Sequence, residues 1–297
     1  MEILEEVLDK LMATYKEKVP DVSLITSALL ENNIITSESD IENDHIAFRT
    51  LGVPKLGIAS FEKIFLHYGY TAKDYYFFEQ KKVKARWYAP PENRFPRIFI
   101  SELQVDRFSD EVQSIITSYT DEVIADPVDA IDLDNADEVD NFLHSPLWRT
   151  PTSKDYVDLL SKSEYAAWVI YNRYYLNHYT INVDNLPKGY NNVTDFNSFL
   201  ESIGVLLSDA GGFIKESKDG LLLQSATVSQ LITATFSAGD ELSISGSYVE
   251  FAERRILPEY KDLAKEDLKR EHRREGFAVS NADKIFESTY TSQTKRK

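Results

Sequence analysis

Two stretches of this chain repeat one order of elements at a nearly constant offset, and such a duplication constrains the fold more than any single motif does. The first runs from His45-Ile-Ala-Phe-Arg-Thr-Leu51 through Ser60-Phe-Glu-Lys-Ile-Phe-Leu-His-Tyr-Gly69 to Arg97-Ile-Phe-Ile-Ser-Glu102. The second runs from His178-Tyr-Thr-Ile-Asn-Val183 through Asp195-Phe-Asn-Ser-Phe-Leu-Glu-Ser-Ile-Gly204 to Ser247-Tyr-Val-Glu250. The histidines lie 133 positions apart and the helical segments 135. Each helical segment is expected to begin at an N-cap, Ser60 or Asp195, and to stop at a glycine, Gly69 or Gly204, suited to the left-handed position past a helix end. β-Branched and aromatic alternation flanks both. The pattern predicts an α+β chain with two paired βαβββ modules, 41–104 and 177–256, that build a central sheet or partial barrel. A helical connection, 105–176, and a C-terminal helix and tail, 257–297, complete a single domain over 1–297.

The flanks read as helices. Ile3, Leu4, Val7, Leu8, Leu11, Met12 and Tyr15 recur at helical spacing, and Val22 to Asn33 continues behind Asp21 as cap. Val112, Ile115, Ile116, Tyr119 and Val123 share one face behind Ser109, and Tyr156 to Tyr175 is an aromatic-rich helical stretch. Dense alternation of charge between Glu259 and Glu275 predicts an exposed helix. From Asp121 to Asp140 nine acidic residues and no basic one supply more than half of the net charge of −16, the mark of an exposed connection. Asp132, Asp134 and Asp137 lack the glycine and the terminal glutamate of a calcium loop.

That acidity argues against a nucleic-acid partner, which demands a basic surface. The absence of cysteine excludes thiolate catalysis, disulfides and Cys-held metals, so any ion must sit on His, Asp or Glu. The acidic start and the lack of a long apolar run predict a cytoplasmic protein with no membrane span.

Two of only five histidines, His45 and His178, open equivalent strands. If related modules pack side by side, their first strands meet and the two imidazoles converge. Glu250 closes the second module among apolar neighbours, and a buried carboxylate needs a partner. Two imidazoles and a carboxylate form the triad that leaves open positions on Fe(II), although manganese, nickel or zinc fit the same ligands. His45, Ala47 and Arg49 share a strand face, with Arg49 about 13 Å beyond the histidine at ~3.3 Å per residue. Its guanidinium is placed to take a carboxylate a few atoms from the metal, or else to serve as a structural partner of Asp44. Glu102 is read as the first-module counterpart of Glu250 and as a non-ligand. Glu253, on the opposite strand face, is the better candidate for a salt bridge to Arg254 or Arg255. His67, His144 and His272 are read as non-catalytic.

The strings Asp44-His-Ile-Ala-Phe-Arg-Thr-Leu-Gly52, His178-Tyr-Thr-Ile-Asn-Val183 and Gly246-Ser-Tyr-Val-Glu-Phe-Ala-Glu-Arg254 resemble the 2-oxoadipate dioxygenase/decarboxylase family, related to the vicinal oxygen chelate superfamily. The resemblance spans roughly Ile41 to Ser288. It implies that His45, His178 and Glu250 hold Fe(II) and that Arg49 holds the distal carboxylate of a 2-oxo dicarboxylic acid. It further implies conversion of 2-oxoadipate and O2 to 2-hydroxyglutarate and CO2 in lysine breakdown. Gly276-Phe-Ala-Val-Ser-Asn281 is similar to the family's C-terminal substrate-contacting stretch, which adds Val279 and Ser280 as substrate-binding candidates. Two other classes compete on the same scaffold: a metal-dependent isomerase or hydrolase of the glyoxalase type, and a metal-free protein that binds a small ligand. Neither consumes oxygen.

Overall fold

The computed structural model describes residues 1–297, the side chain of Lys265 excepted. Helices α1 (Glu2–Lys18) and α2 (Pro20–Glu31) precede the first module, which comprises β1 (Glu42–Leu51), α3 (Ile58–His67), β2 (Thr71–Phe78), β3 (Val83–Ala89) and β4 (Arg97–Leu103). The connection holds α4 (Asp110–Thr120), α5 (Ala136–His144), α6 (Ser153–Lys162) and α7 (Glu164–Asn172). The second module comprises β5 (His178–Asn182), α8 (Val193–Ser202), β6 (Lys215–Glu216), β7 (Leu222–Ala226), β8 (Leu231–Thr235), β9 (Glu241–Ser245) and β10 (Tyr248–Arg254). Helices α9 (Val279–Ile285) and α10 (Thr291–Thr294) follow.

One curled sheet of eight strands runs β2-β3-β4-β1-β5-β10-β7-β6. At its centre β1 and β5 pair antiparallel, while β1 with β4 and β5 with β10 are parallel. The two modules therefore correspond strand for strand, with the β8–β9 hairpin inserted between the third and fourth strands of the second. Strand alternation separates two environments. On one face Phe48 packs on Phe61 of α3 with ring centroids 4.7 Å apart, and Phe251 packs on Phe196 of α8 at 5.3 Å. The module helices thus take the convex side. The concave side is left to His45, Ala47 and Arg49 of β1, His178 and Thr180 of β5, and Tyr248 and Glu250 of β10.

Both module helices end as the sequence predicts. Gly69 and Gly204 each adopt φ of 84°, and the next residue donates back across the turn, Tyr70 to Phe65 and Val205 to Leu200, both at 3.0 Å. The starts lie earlier than Ser60 and Asp195. Helix α8 is capped by Asn192, whose side chain accepts from the Asp195 N–H at 2.9 Å, and α3 follows Gly57. The aromatic stretch at 156–175 divides at Ser163, which ends α6 and accepts from Ala166 N–H to start α7. The helix expected between Glu259 and Glu275 is not formed. Its arginines reach inward instead: Arg270 donates to the Phe95 carbonyl and Arg273 pairs with Asp184. The stretch holds isolated 3-10 turns such as Arg270–His272.

The C-terminal segment closes over the concave face. Phe277, Ala282, Ile285 and Phe286 line a small cavity of about 20 Å³ opposite His45, His178, Glu250 and Phe99. Among the described residues no helix is long and apolar enough to cross a membrane.

Candidate metal centre

The central strand pair brings the two histidines together, because Ala47 of β1 lies opposite His178 of β5, one step of the same face away from His45. Their Nε2 atoms are 3.3 Å apart. Glu250 reaches in from β10, with one carboxylate oxygen 3.6 Å from His45 Nε2 and the other 3.2 Å from His178 Nε2. All three are buried, and their ligand atoms lie within 4.8 Å of one another.

Each ring is oriented by the residue before it. His45 Nδ1 lies 2.8 Å from Asp44 Oδ2, and His178 Nδ1 lies 3.0 Å from Asn177 Oδ1. With the Nδ1 protons committed there, both Nε2 electron pairs point into the centre, the arrangement that metal-binding histidines require. Consecutive residues Asp44 and His45 both serve the interior because β1 bulges between Asn43 and His45. Asp44, fully buried, is clamped by Arg97 of β4 at 3.0 Å and by Arg254 of β10 at 2.6 and 2.9 Å. Burial opposes its charge, but Arg254 and Arg97 outweigh that and hold its carboxyl well below the usual range.

Glu250 accepts from Gln224 Nε2 of β7 at 2.5 Å, and Gln224 in turn accepts from Asn281 of α9 at 3.0 Å. Among the described residues no lysine or arginine pairs with Glu250, so a buried carboxylate and two imidazole nitrogens converge without a cation. Burial disfavours charge on His45, yet Glu250 and Asp44 raise its pKa above the usual value. Burial, then His45 and Arg49, hold His178 well below it. The donor set of three electron-pair donors in a dry interior fits a divalent ion.

Arg49 sits two rungs along β1, 1% exposed. It does not pair with Asp44. Nη1 donates to Thr289 Oγ1 at 2.9 Å and Nη2 to the Phe286 carbonyl at 3.0 Å, inside a cage of Tyr165, Trp168 and Phe286 rings 5.1–5.5 Å from its centre. Among the described residues it has no carboxylate partner. Val279 and Ser280, at the start of α9, have exposed side chains and lie outside the cavity lining, to which their segment contributes Phe277 and Ala282.

Glu102 requires a correction. In the parallel registers, His45 faces Arg97 and His178 faces Tyr248, so the counterpart of Glu250 is Phe99, and Glu102 corresponds to Glu253. Glu102 accepts from Ile58 N–H at 2.7 Å and pairs with Lys84 at 2.8 Å, away from the centre. Sequence reading missed Asn177, Gln224, Arg97 and the ligand-orienting role of Asp44. The repeat held one signal: a polar residue with a side-chain oxygen precedes each ligand histidine, Asp44 and Asn177.

A curled sheet of two βαβββ modules with a buried His-His-Glu group on its concave face defines a fold of the vicinal oxygen chelate type carrying side chains able to hold a metal ion. A Ralstonia eutropha protein provisionally assigned to the glyoxalase superfamily shares that fold, with TM-score 0.72 at 20% identity over 94% of this chain and 86% of that one. The chain belongs to the 2-oxoadipate dioxygenase/decarboxylase family, whose model matches residues 7–268. The chloroplastic 2-oxoadipate dioxygenase/decarboxylase of Arabidopsis thaliana is 42% identical over 265 residues, 86% of this chain and 70% of its own length. The hydroxyglutarate synthase of Oryza sativa, solved with 2-oxoadipate, superposes with TM-score 0.89 at 37% identity, covering 98% of this chain and 93% of that one.

Proposed function

We propose that this chain is an Fe(II)-dependent dioxygenase/decarboxylase that converts 2-oxoadipate and O2 to 2-hydroxyglutarate and CO2, a step of lysine breakdown. The observation that carries this reading is the buried His45-His178-Glu250 group with, two rungs along the same strand face, an arginine that has no carboxylate partner among the described residues. One end of a 2-oxo diacid is a chelating keto acid, and the other is the anion that a buried guanidinium requires. The atoms balance, since loss of C1 as CO2 leaves a five-carbon hydroxy diacid that retains both oxygens of O2, one in the new carboxyl group and one in the hydroxyl.

His45, His178 and Glu250 would hold the iron, which supplies the redox and Lewis-acid chemistry that reaction with dioxygen needs. The protein's own contribution is placement and dryness. Asp44 and Asn177 fix the two imidazoles, Gln224 fixes the carboxylate, and Arg49 orients the distal end of the substrate so that its carbon chain lies across Ala47. Phe277, packed edge-on against His45 at 4.8 Å, and Phe286 exclude water from the reacting carbons.

The test is oxygen uptake by anaerobically iron-loaded protein on addition of 2-oxoadipate, beside 2-oxoglutarate and a metal-free control. One O2 consumed per CO2 released is the expected result. Absence of uptake from protein that binds metal through His45 overturns the oxygenase and moves the isomerase or hydrolase class to first place.

A further inference from the structure

The donors of Arg49 are not equivalent. Both Nη atoms are occupied by the chain's own turn at Phe286 and Thr289, which leaves Nε as the one guanidinium nitrogen without a partner among the described residues. The hydroxyl of Tyr248, a residue with 0% exposure, is in the same condition, as are Ser288 Oγ within that turn and Asn177 Nδ2 beside His178. The Tyr248 phenol neighbours the Arg49 guanidinium. A buried donor without a partner is unfavourable, and one acceptor placed between these two neighbours satisfies both.

Their placement follows from the sheet register. Tyr248 pairs with His178 across β5 and β10, and its ring lies against the imidazole with centroids 4.8 Å apart. Glu250 is two residues farther along β10, so the Tyr248 side chain stands about 7 Å from the ligand carboxylate along the strand, toward the end where Arg49 lies. Four carbon–carbon bonds separate the keto carbon of a six-carbon 2-oxo diacid from its distal carboxyl carbon, an extended span of about 5 Å. Adding the bond from metal to keto oxygen brings the distal carboxylate to this level of the sheet. A five-carbon diacid falls short of it by about one bond.

Resting on the dioxygenase reading above, we propose that Tyr248 is a specificity-determining residue, its hydroxyl and Arg49 Nε together receiving the distal carboxylate while the Arg49 Nη atoms go on holding the 286–289 turn. The tyrosine then acts as a ruler for chain length and for the second negative charge. The discrimination belongs to a hydrogen bond to a charged acceptor, so its loss is expected to weaken diacid binding about 10- to 100-fold.

The experiment compares wild type with Tyr248→Phe, which keeps the ring against His178. Dissociation constants are measured anaerobically by calorimetry on the Mn(II)-loaded protein for 2-oxoadipate, 2-oxoglutarate and 2-oxohexanoate, which has six carbons but no distal carboxylate. Mn(II) affinity is measured in parallel. The expected result is wild-type preference for 2-oxoadipate over 2-oxohexanoate that collapses about 10- to 100-fold in Tyr248→Phe, with 2-oxohexanoate and Mn(II) binding unchanged. A preference that survives the substitution overturns the role of Tyr248 while leaving the diacid reading intact. Equal weakening of both six-carbon acids, or of Mn(II), makes Tyr248 a structural support of His178 and also overturns it. Lack of any diacid preference in wild type overturns the substrate reading and the seat together.

Discussion

Glu102 of β4 and Glu253 of β10 do the same work in the two modules: each offers a carboxylate oxygen to the first backbone N–H of its module's helix, Ile58 at 2.7 Å and Val193 at 3.1 Å. The fourth strand of each module is thereby tied to the start of the helix that covers its convex side. Against that symmetry Glu250 stands out, because its counterpart Phe99 is apolar. One module supplies a histidine and the other a histidine and a carboxylate, so the triad spans the junction and exists only when both modules are docked.

Glu102→Ala is accordingly expected to lower stability by about 1–2 kcal/mol through loss of the helix-end acceptor, without changing metal stoichiometry. Urea denaturation and metal titration read the two effects separately. Loss of metal binding with unchanged stability would make Glu102 a ligand after all. Gly57, whose φ of 85° turns the chain against this carboxylate, has no room for a side chain there, so Gly57→Ala is expected to cost at least as much.

Asp44→Asn separates charge from shape at the ring of His45. The amide still reaches Nδ1, but Arg97 and Arg254 lose their shared anion in a buried position. Metal affinity is expected to fall about 10- to 100-fold. Stability is expected to fall by about 3–5 kcal/mol, the usual consequence of removing one partner of a buried ion pair. Wild-type metal affinity in the folded variant would mean that the hydrogen bond to Nδ1 suffices for the ring of His45 and that the charge of Asp44 serves the two arginines only.

The duplication, the histidine pair and the glycine helix stops were legible because each is a local pattern carried in duplicate. The partnership of Asp44 was not, since a bulge leaves no trace in a period-two pattern and the arginines that complete it lie 53 and 210 positions away. The misplacement of Glu102 was avoidable. Written in register, Arg97-Ile-Phe-Ile-Ser-Glu102 and Tyr248-Val-Glu-Phe-Ala-Glu253 align their final glutamates and set Phe99 against Glu250. The failed helix at 259–275 shows the limit of charge patterning: alternating signs read as a solvated helix, but Arg270 and Arg273 point inward to partners that sequence spacing does not reveal.

Asp184, just past β5, supplies a pH dependence of stability apart from the metal ligands. Burial pushes its carboxyl up to about 7, against the opposing charge of Arg273 and the hydrogen bond from Arg254 N–H. The folded protein therefore binds this proton more tightly than the unfolded chain, whose aspartate titrates near ~3.9. Its stabilising contribution is complete below about pH 4, declines as pH rises toward 7 and is constant above that. The stability of wild type minus that of Asp184→Asn, from urea melts between pH 5 and 8.5, is expected to fall with pH and then level off. A difference that is flat across this range would mean that the folded carboxyl titrates like the unfolded one.

Arg49→Ala removes both the anchor of the 286–289 turn and the charge proposed to meet the substrate. With two charged hydrogen bonds at stake, kcat/KM on 2-oxoadipate is expected to drop by about 100-fold or more. Arg49→Lys is not expected to restore it, because an ammonium cannot hold Phe286 O and Thr289 Oγ1 while also presenting a third donor along Nε. Normal steady-state constants in either variant would remove Arg49 from the substrate's path.

The centre itself predicts how metal couples to stability. Without a cation, Glu250 is a buried carboxylate that raises the pKa of His45, an arrangement less favourable than a neutral one of the same shape. An ion that binds only the folded chain stabilises it by about 2.7 kcal/mol at a hundred times its dissociation constant, so Fe(II) or Mn(II) is expected to raise the Tm and a chelator to reverse the rise. Glu250→Gln discriminates between a metal site and a structural cluster. The glutamine oxygen still accepts from Gln224, so the metal-free variant is expected to melt at or above the metal-free wild type, and its Tm is expected not to respond to metal. A metal-free variant that melts well below the metal-free wild type would show that Glu250 stabilises the fold without an ion, and calorimetric melts with and without metal distinguish the two.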